Sequence, residues 1–217
     1  MNFELKRRIF TSLLLFSLLS LMMISNFLMG YFLLIISVLS FLEFSNIMKK
    51  IFKKKFFIIL FNILFVLYIF TISGLFLIIS FIFHLKIILF IILIICVFSD
   101  IGGFTIGKIL KGPKLTSISP NKTISGSIGA ILFSSLAALM SLNFVIKENI
   151  LSIVFIGFII SLSVQVGDLI FSYLKRKSKL KNTGNILPGH GGILDRIDGI
   201  LLGIPVGLLY VLILVFT

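Results

Sequence analysis

Seven acidic residues occur in this chain, Glu4, Glu43, Asp100, Glu148, Asp168, Asp195 and Asp198. All four aspartates fall at the ends of apolar runs, beside two loops of unusual composition. An ionised carboxylate near hydrocarbon costs ~2.5–3.5 kcal/mol on insertion scales, so each such Asp calls for a function by default. A single one need do no more than pair with a neighbouring Lys or Arg at a helix end; four together point to chemistry. Ser161, Gln165, Asp168, Ser172 and Lys175 follow steps of 4, 3, 4 and 3. On a helix they form one polar stripe, which must face a bundle interior or a wet cavity. Asp195 and Asp198 stand three apart and share a face, with Arg196 beside them. Together with Asp168 they supply the oxygen ligands of a hard cation such as Mg²⁺, which takes one or two carboxylates, waters and substrate phosphates.

The two loops read DIGGFTIGKILKGPKLTSISPNKTISG from Asp100 to Gly126 and KRKSKLKNTGNILPGHGGILDRIDG from Lys175 to Gly199. Both combine Gly, Lys and hydroxyl residues, the types that approach and neutralise phosphate. His190 sits in Pro188-Gly189-His190-Gly191-Gly192, a segment too rich in Gly to be helical. It is read either as an ordinary turn residue or as a phosphate contact or proton donor reached through a backbone with few side chains in the way. Asp100 is followed at helical spacing by Gly103 and Gly107. The glycines allow close helix packing, and Asp100 either reaches the site or bonds a neighbouring helix. Two distant histidines, His84 and His190, and the single Cys96 leave no usable zinc ligand set.

The elements that must carry these groups are membrane helices. Of 217 residues, 59% are hydrophobic and 12% charged, with 25 Phe and no Trp, about half the charge of a soluble domain. Apolar segments fall at about 9–25, 27–44, 57–83, 87–109, 126–146, 150–174 and 199–216, each near the ~20 residues that a spanning helix needs. This predicts an all-α integral membrane protein, a polytopic bundle of about seven transmembrane helices in a single membrane domain over 1–217. The N-terminal helices take about 1–86 and the half that carries the chemistry about 87–217. A break at Ser73-Gly74 in the long third segment would make eight. Seven crossings put residues 6–8, Lys49 to Lys55, 108–124 and 175–198 on one side, which the positive-inside tendency makes cytoplasmic. On that count the third segment is tilted, kinked or partly re-entrant.

The formal net charge of +13, from 20 basic residues against seven acids, is explained by these loops, and no soluble basic domain exists to bind nucleic acid. Lys6-Arg7-Arg8 and the apolar run behind them imitate a signal peptide, but no small-residue cleavage site follows, so a retained first helix is expected. Cys96, inside an apolar run, reads as a small buried hydrophobe.

Ser172-Tyr-Leu-Lys175-Arg176, then Lys181-Asn182, then Leu187-Pro188-Gly-His190-Gly191-Gly192-Ile-Leu-Asp195-Arg196-Ile-Asp198 resembles the signature of phosphatidate cytidylyltransferases. Gly167-Asp168-Leu169, Asp100 with Gly107-Lys108, Lys114, and Ser119-Pro120-Asn121-Lys122-Thr123 before Gly126 resemble the same family, over roughly residues 95–205. The resemblance implies transfer of CMP from CTP to phosphatidate, giving CDP-diacylglycerol and pyrophosphate, at the cytoplasmic face of the cell membrane. It implies Mg²⁺, or two cations with the second monovalent, held by Asp168, Asp195 and Asp198. His190 and Lys175 join those aspartates as catalytic groups. Ser119, Lys122, Thr123, Ser172, Arg176, Lys181, Gly191, Gly192, Arg196 and Asp100 bind substrate, and a homodimer is implied. Three positions depart from the family pattern and each loses a negative charge: Asn182, Phe171 and Ser125. A CTP-dependent lipid kinase and a catalytically degenerate relative are the alternatives.

Overall fold

The computed structural model describes residues 3–186 and 191–216, and His190 lies outside them. Among the described residues there are eight helices, α1 (Phe3–Ile24), α2 (Asn26–Ile51), α3 (Lys55–Ser80), α4 (Phe83–Leu110), α5 (Ile124–Leu142), α6 (Ile150–Lys177), the single turn α7 (Leu194–Ile197) and α8 (Ile200–Phe216), and no β-strand. The reason is solvent: in hydrocarbon every backbone N–H and C=O must find its partner within the segment, which a helix does. Six stretches, Asn26–Ile51, Lys55–Ser80, Phe83–Leu110, Ile124–Leu142, Ile150–Lys177 and Leu194–Leu214, are long and apolar enough to cross a membrane. With the 22-residue α1 they make the seven long elements that the apolar pattern predicts. The chain is an all-α integral membrane protein. Two compact units are resolved, one of residues 1–86 and 174–197, the other of 87–173 and 198–217.

In the first unit the long third segment is one unbroken helix of 26 residues, about 39 Å at 1.5 Å per residue. Ser73-Gly74 does not break it, so an eighth crossing is not formed. A lone Gly within a helix lowers its stability without ending it, and the neighbouring Ser73 hydroxyl shares a 2.8 Å hydrogen bond with Ser37 of α2. Further along the same pair, Phe44 stacks on Phe65 with ring centroids 4.0 Å apart, and the Asn62 amide donates to Ser45 at 3.1 Å. Lys86 lies in the first turn of α4, 5% exposed, and donates to Asn26 Oδ1 at 2.6 Å. The turn between α2 and α3 exposes Lys53, Lys54 and Lys55 after Lys49 and Lys50, and the Lys177 ammonium lies 5.6 Å above the Phe52 ring.

The second unit is packed on small residues. A Cβ on Gly102 would stand 2.5 Å from the Gly129 carbonyl oxygen, and one on Gly107 would stand 3.3 Å from the Gly126 Cα, so α4 and α5 approach backbone to backbone. The close packing expected of Gly103 and Gly107 is therefore observed, with Gly126 and Gly129 as their counterparts. Ser134 of α5 donates to the Gly157 carbonyl of α6 at 2.9 Å. Cys96 is fully buried, as expected of a core hydrophobe.

Candidate functional site

In the first unit the described residues of 174–197 gather around two carboxylates. Asp195 lies in the first half of the single turn α7, and its side chain is 10% exposed. Lys175 Nζ donates to Oδ1 at 2.8 Å, while the backbone N–H groups of Thr183 and Gly192 donate to Oδ2 at 2.8 and 3.1 Å. Those three donors take three of a carboxylate's roughly four acceptor positions, leaving one on Oδ1. Gly191 stands in the left-handed region at φ +85°, and a Cβ there would lie 3.0 Å from Asp195 Oδ2, so both its conformation and its closeness to the carboxylate favour glycine. Arg176, Lys181 and Arg196 are exposed cations of the same unit.

The second carboxylate is Glu43, which sequence reasoning did not single out. It lies on α2 and is 3% exposed. The Thr183 hydroxyl donates to Oε2 at 2.7 Å, the Leu194 N–H to the same oxygen at 2.9 Å, and the Ile193 N–H to Oε1 at 3.0 Å. A Cβ at Gly184 would stand 2.5 Å from Oε1, and one at Gly192 would collide with Glu43 and the Thr183 hydroxyl. The glycine content of this segment is thus set partly by the close approach of a buried acid. The available signal was a lone acid in an apolar run, which by cost alone marks a function.

In the second unit the polar stripe of α6 faces inward. Ser161 is fully buried and shares a 2.8 Å hydrogen bond with Ser99, and the Gln165 amide donates to Ser161 at 3.2 Å. Below them Asp168 accepts from the Ser172 hydroxyl at 3.2 Å and forms an ion pair with Lys122, about a quarter exposed on each side chain. Lys122 is held by its loop: its N–H donates to the Ser119 carbonyl at 3.0 Å, and its carbonyl accepts from Leu115 N–H at 2.8 Å. Thr123 caps α5, accepting the Gly126 N–H at 3.1 Å. Ser125, one of the three departures, donates to the carbonyl of Lys111, a residue at φ +52°; an ionised acid has no proton to give there. Phe171, another departure, is buried, while Asn182 of the first unit is exposed. Asp100 is exposed on α4.

Asp198 is 9% exposed at the break before α8, and its Oδ1 accepts the Gly199 N–H at 2.9 Å. Gly167 makes the approach to α6 possible, for a Cβ on it would stand 2.7 Å from the Asp198 carbonyl oxygen. Asp168 and Asp198 therefore belong to adjoining backbone within one unit. Among the described residues no three His, Cys, Asp or Glu side chains gather into a ligand set. The donors that are present, carboxylate oxygens next to hydroxyls and cations, have the chemistry of a hard cation with phosphates as further ligands.

The model of the cytidylyltransferase family matches residues 4–214. The chain is 44% identical over 112 residues to a phosphatidate cytidylyltransferase of Helicobacter pylori, 46% over 117 residues to one of Rickettsia bellii and 42% over 123 residues to one of Staphylococcus epidermidis. These stretches are 51%, 51% and 56% of this chain and 42%, 49% and 47% of those relatives, so the chain spans about half the length of the curated relatives it matches.

Proposed function

Because this chain belongs to the cytidylyltransferase family, we propose that it is a phosphatidate cytidylyltransferase, making CDP-diacylglycerol and pyrophosphate from CTP and phosphatidate. The observation that carries this reading is that Lys175, Gly191 and Gly192 close around the carboxylate of Asp195. The relatives that the chain matches bear that activity in their names.

In this reaction an oxygen of the lipid phosphate attacks the α-phosphorus of CTP, the bond from that phosphorus to the oxygen of the β-phosphate breaks, and pyrophosphate leaves with the electron pair. The nucleophile is the substrate's own phosphate, so no Ser-His-Asp arrangement is required. Two polyanions must meet, and catalysis is therefore mainly positioning and charge neutralisation. Lys175, Arg176, Lys181 and Arg196 bind phosphates, with the arginines suited to bidentate contact. Lys122, with Ser119 and Thr123 on the same loop, takes the nucleotide, and its ammonium exchanges Asp168 for a phosphate oxygen. Asp168 and Asp198 of the second unit would hold Mg²⁺, whose contribution when bound is to neutralise the attacking and leaving oxygens. The lysines at 49–55 and the loops at 108–124 and 175–198 favour the cytoplasmic face for these groups.

The test is turnover by the purified full chain in mixed micelles of phosphatidate with CTP and Mg²⁺. CDP-lipid and pyrophosphate should form in equal amounts, stop on addition of a chelator and resume with excess Mg²⁺. Release of CDP in place of pyrophosphate, or no consumption of CTP, would overturn the reading.

A further inference from the structure

We propose that Glu43 is a positioning residue for nucleotide binding: from the second helix it holds Thr183, Ile193 and Leu194 in the arrangement that presents Gly191, Gly192 and Asp195. The inference rests on the function proposed above. Glu43 is 140 to 151 residues distant in sequence from its three partners. A purely structural acid in an apolar helix would be expected to pair with a basic side chain on a neighbouring helix. Glu43 instead spends both oxygens on donors of one segment, two of them backbone N–H groups at consecutive residues, Ile193 and Leu194. Fixing consecutive amides orients the peptide that leads into Asp195. Thr183 links the two carboxylates, since its hydroxyl donates to Glu43 and its N–H donates to Asp195. Glu43, Thr183 and Asp195 therefore form one relay in which the buried acid acts on substrate only through the segment it holds.

All three partners of Glu43 are donors, so the position demands an acceptor with two oxygens. In Glu43→Gln one oxygen becomes an NH₂ that faces an N–H or a hydroxyl, and at least one of the bonds is lost. A hydrogen bond to a charged group is worth ~1.5–3 kcal/mol, which corresponds to a change of roughly tenfold or more.

The experiment measures CTP kinetics and hydrogen exchange on the full-length protein for Glu43→Gln, Thr183→Val and Thr183→Ser. Glu43→Gln and Thr183→Val should each raise the KM for CTP about tenfold, with faster exchange confined to peptides covering 183–196. Thr183→Ser, which keeps the donor, should fall between Thr183→Val and the unaltered protein. The double variant should be no worse than the poorer single one, because both changes cut the same relay. Thr183→Val keeps the test decisive if Glu43→Gln does not fold, for it removes one hydroxyl and leaves Glu43 in place. An acid that serves only to stabilise the protein would lower the amount of active enzyme and leave KM untouched. An unchanged KM in the folded variants, or exchange raised throughout the chain, would overturn the proposal. Failure of the unaltered protein to use CTP would instead sink the functional reading, and the exchange at 183–196 would still report whether Glu43 holds the segment.

Discussion

Lys175 at the end of α6 donates to Asp195 at the start of α7 over 2.8 Å, with side chains only 15% and 10% exposed. The two residues are 20 positions apart in sequence. A buried ion pair contributes little net stability when intact, but removal of one partner leaves an uncompensated charge and costs ~3–5 kcal/mol. Asp195→Asn also leaves the Lys175 ammonium, to which the proposed function gives phosphate binding, without its positioning partner, and is expected to lower kcat/KM for CTP at least ~100-fold. The protein should still insert in the membrane, since the seven long helices do not depend on this carboxylate. Steady-state kinetics on membranes with matched protein content checks this.

Lys122 and Asp168 separate binding from chemistry. Lys122→Met removes a cation that the account gives to the nucleotide, and should raise the KM for CTP roughly tenfold with a smaller change in kcat. Asp168→Asn keeps the shape of the side chain and removes the charge to which the proposed function gives cation binding, so kcat should collapse whatever the CTP concentration. Saturation curves for the two variants distinguish these patterns, and equal losses in both parameters for both variants would contradict the assignment.

Two glycines make opposite predictions for stability. A Cβ at Gly167 would stand 2.7 Å from the Asp198 carbonyl oxygen, a backbone atom that can move little. Gly167→Ala should destabilise the folded protein by about 1–3 kcal/mol. At Gly74 nothing lies within 4 Å of an added Cβ, and Gly74→Ala should stabilise α3 by roughly 0.5–1 kcal/mol. Thermal unfolding in detergent, followed by helical signal, reads both.

Much of this architecture was legible from residue order because hydrocarbon leaves the backbone few choices. The seven apolar runs became the seven long helices, and the spacing of Ser161, Gln165, Asp168 and Ser172 located the inward face of α6. Gly103 and Gly107 pack as their spacing implied. What was not legible depends on contacts between residues far apart in the chain. The unbroken course of α3 through Ser73-Gly74 could not be decided from local propensity. The burial of Lys86 was not legible because its partner, Asn26, is 60 residues away. Glu43 was overlooked for the same reason: its neighbours in sequence are apolar, and its partners lie in a segment whose own acids drew attention first.

The central claim, that this chain transfers CMP to a lipid phosphate, is tested most directly by following the two ends of CTP. Purified protein is given phosphatidate and Mg²⁺ with CTP labelled at either the α- or the γ-phosphorus, and the lipid is extracted. The account predicts that the α label enters the lipid and the γ label leaves as pyrophosphate. Transfer of the γ label to lipid, or a lipid fraction free of both labels while phosphatidate and CTP are in excess, would contradict it.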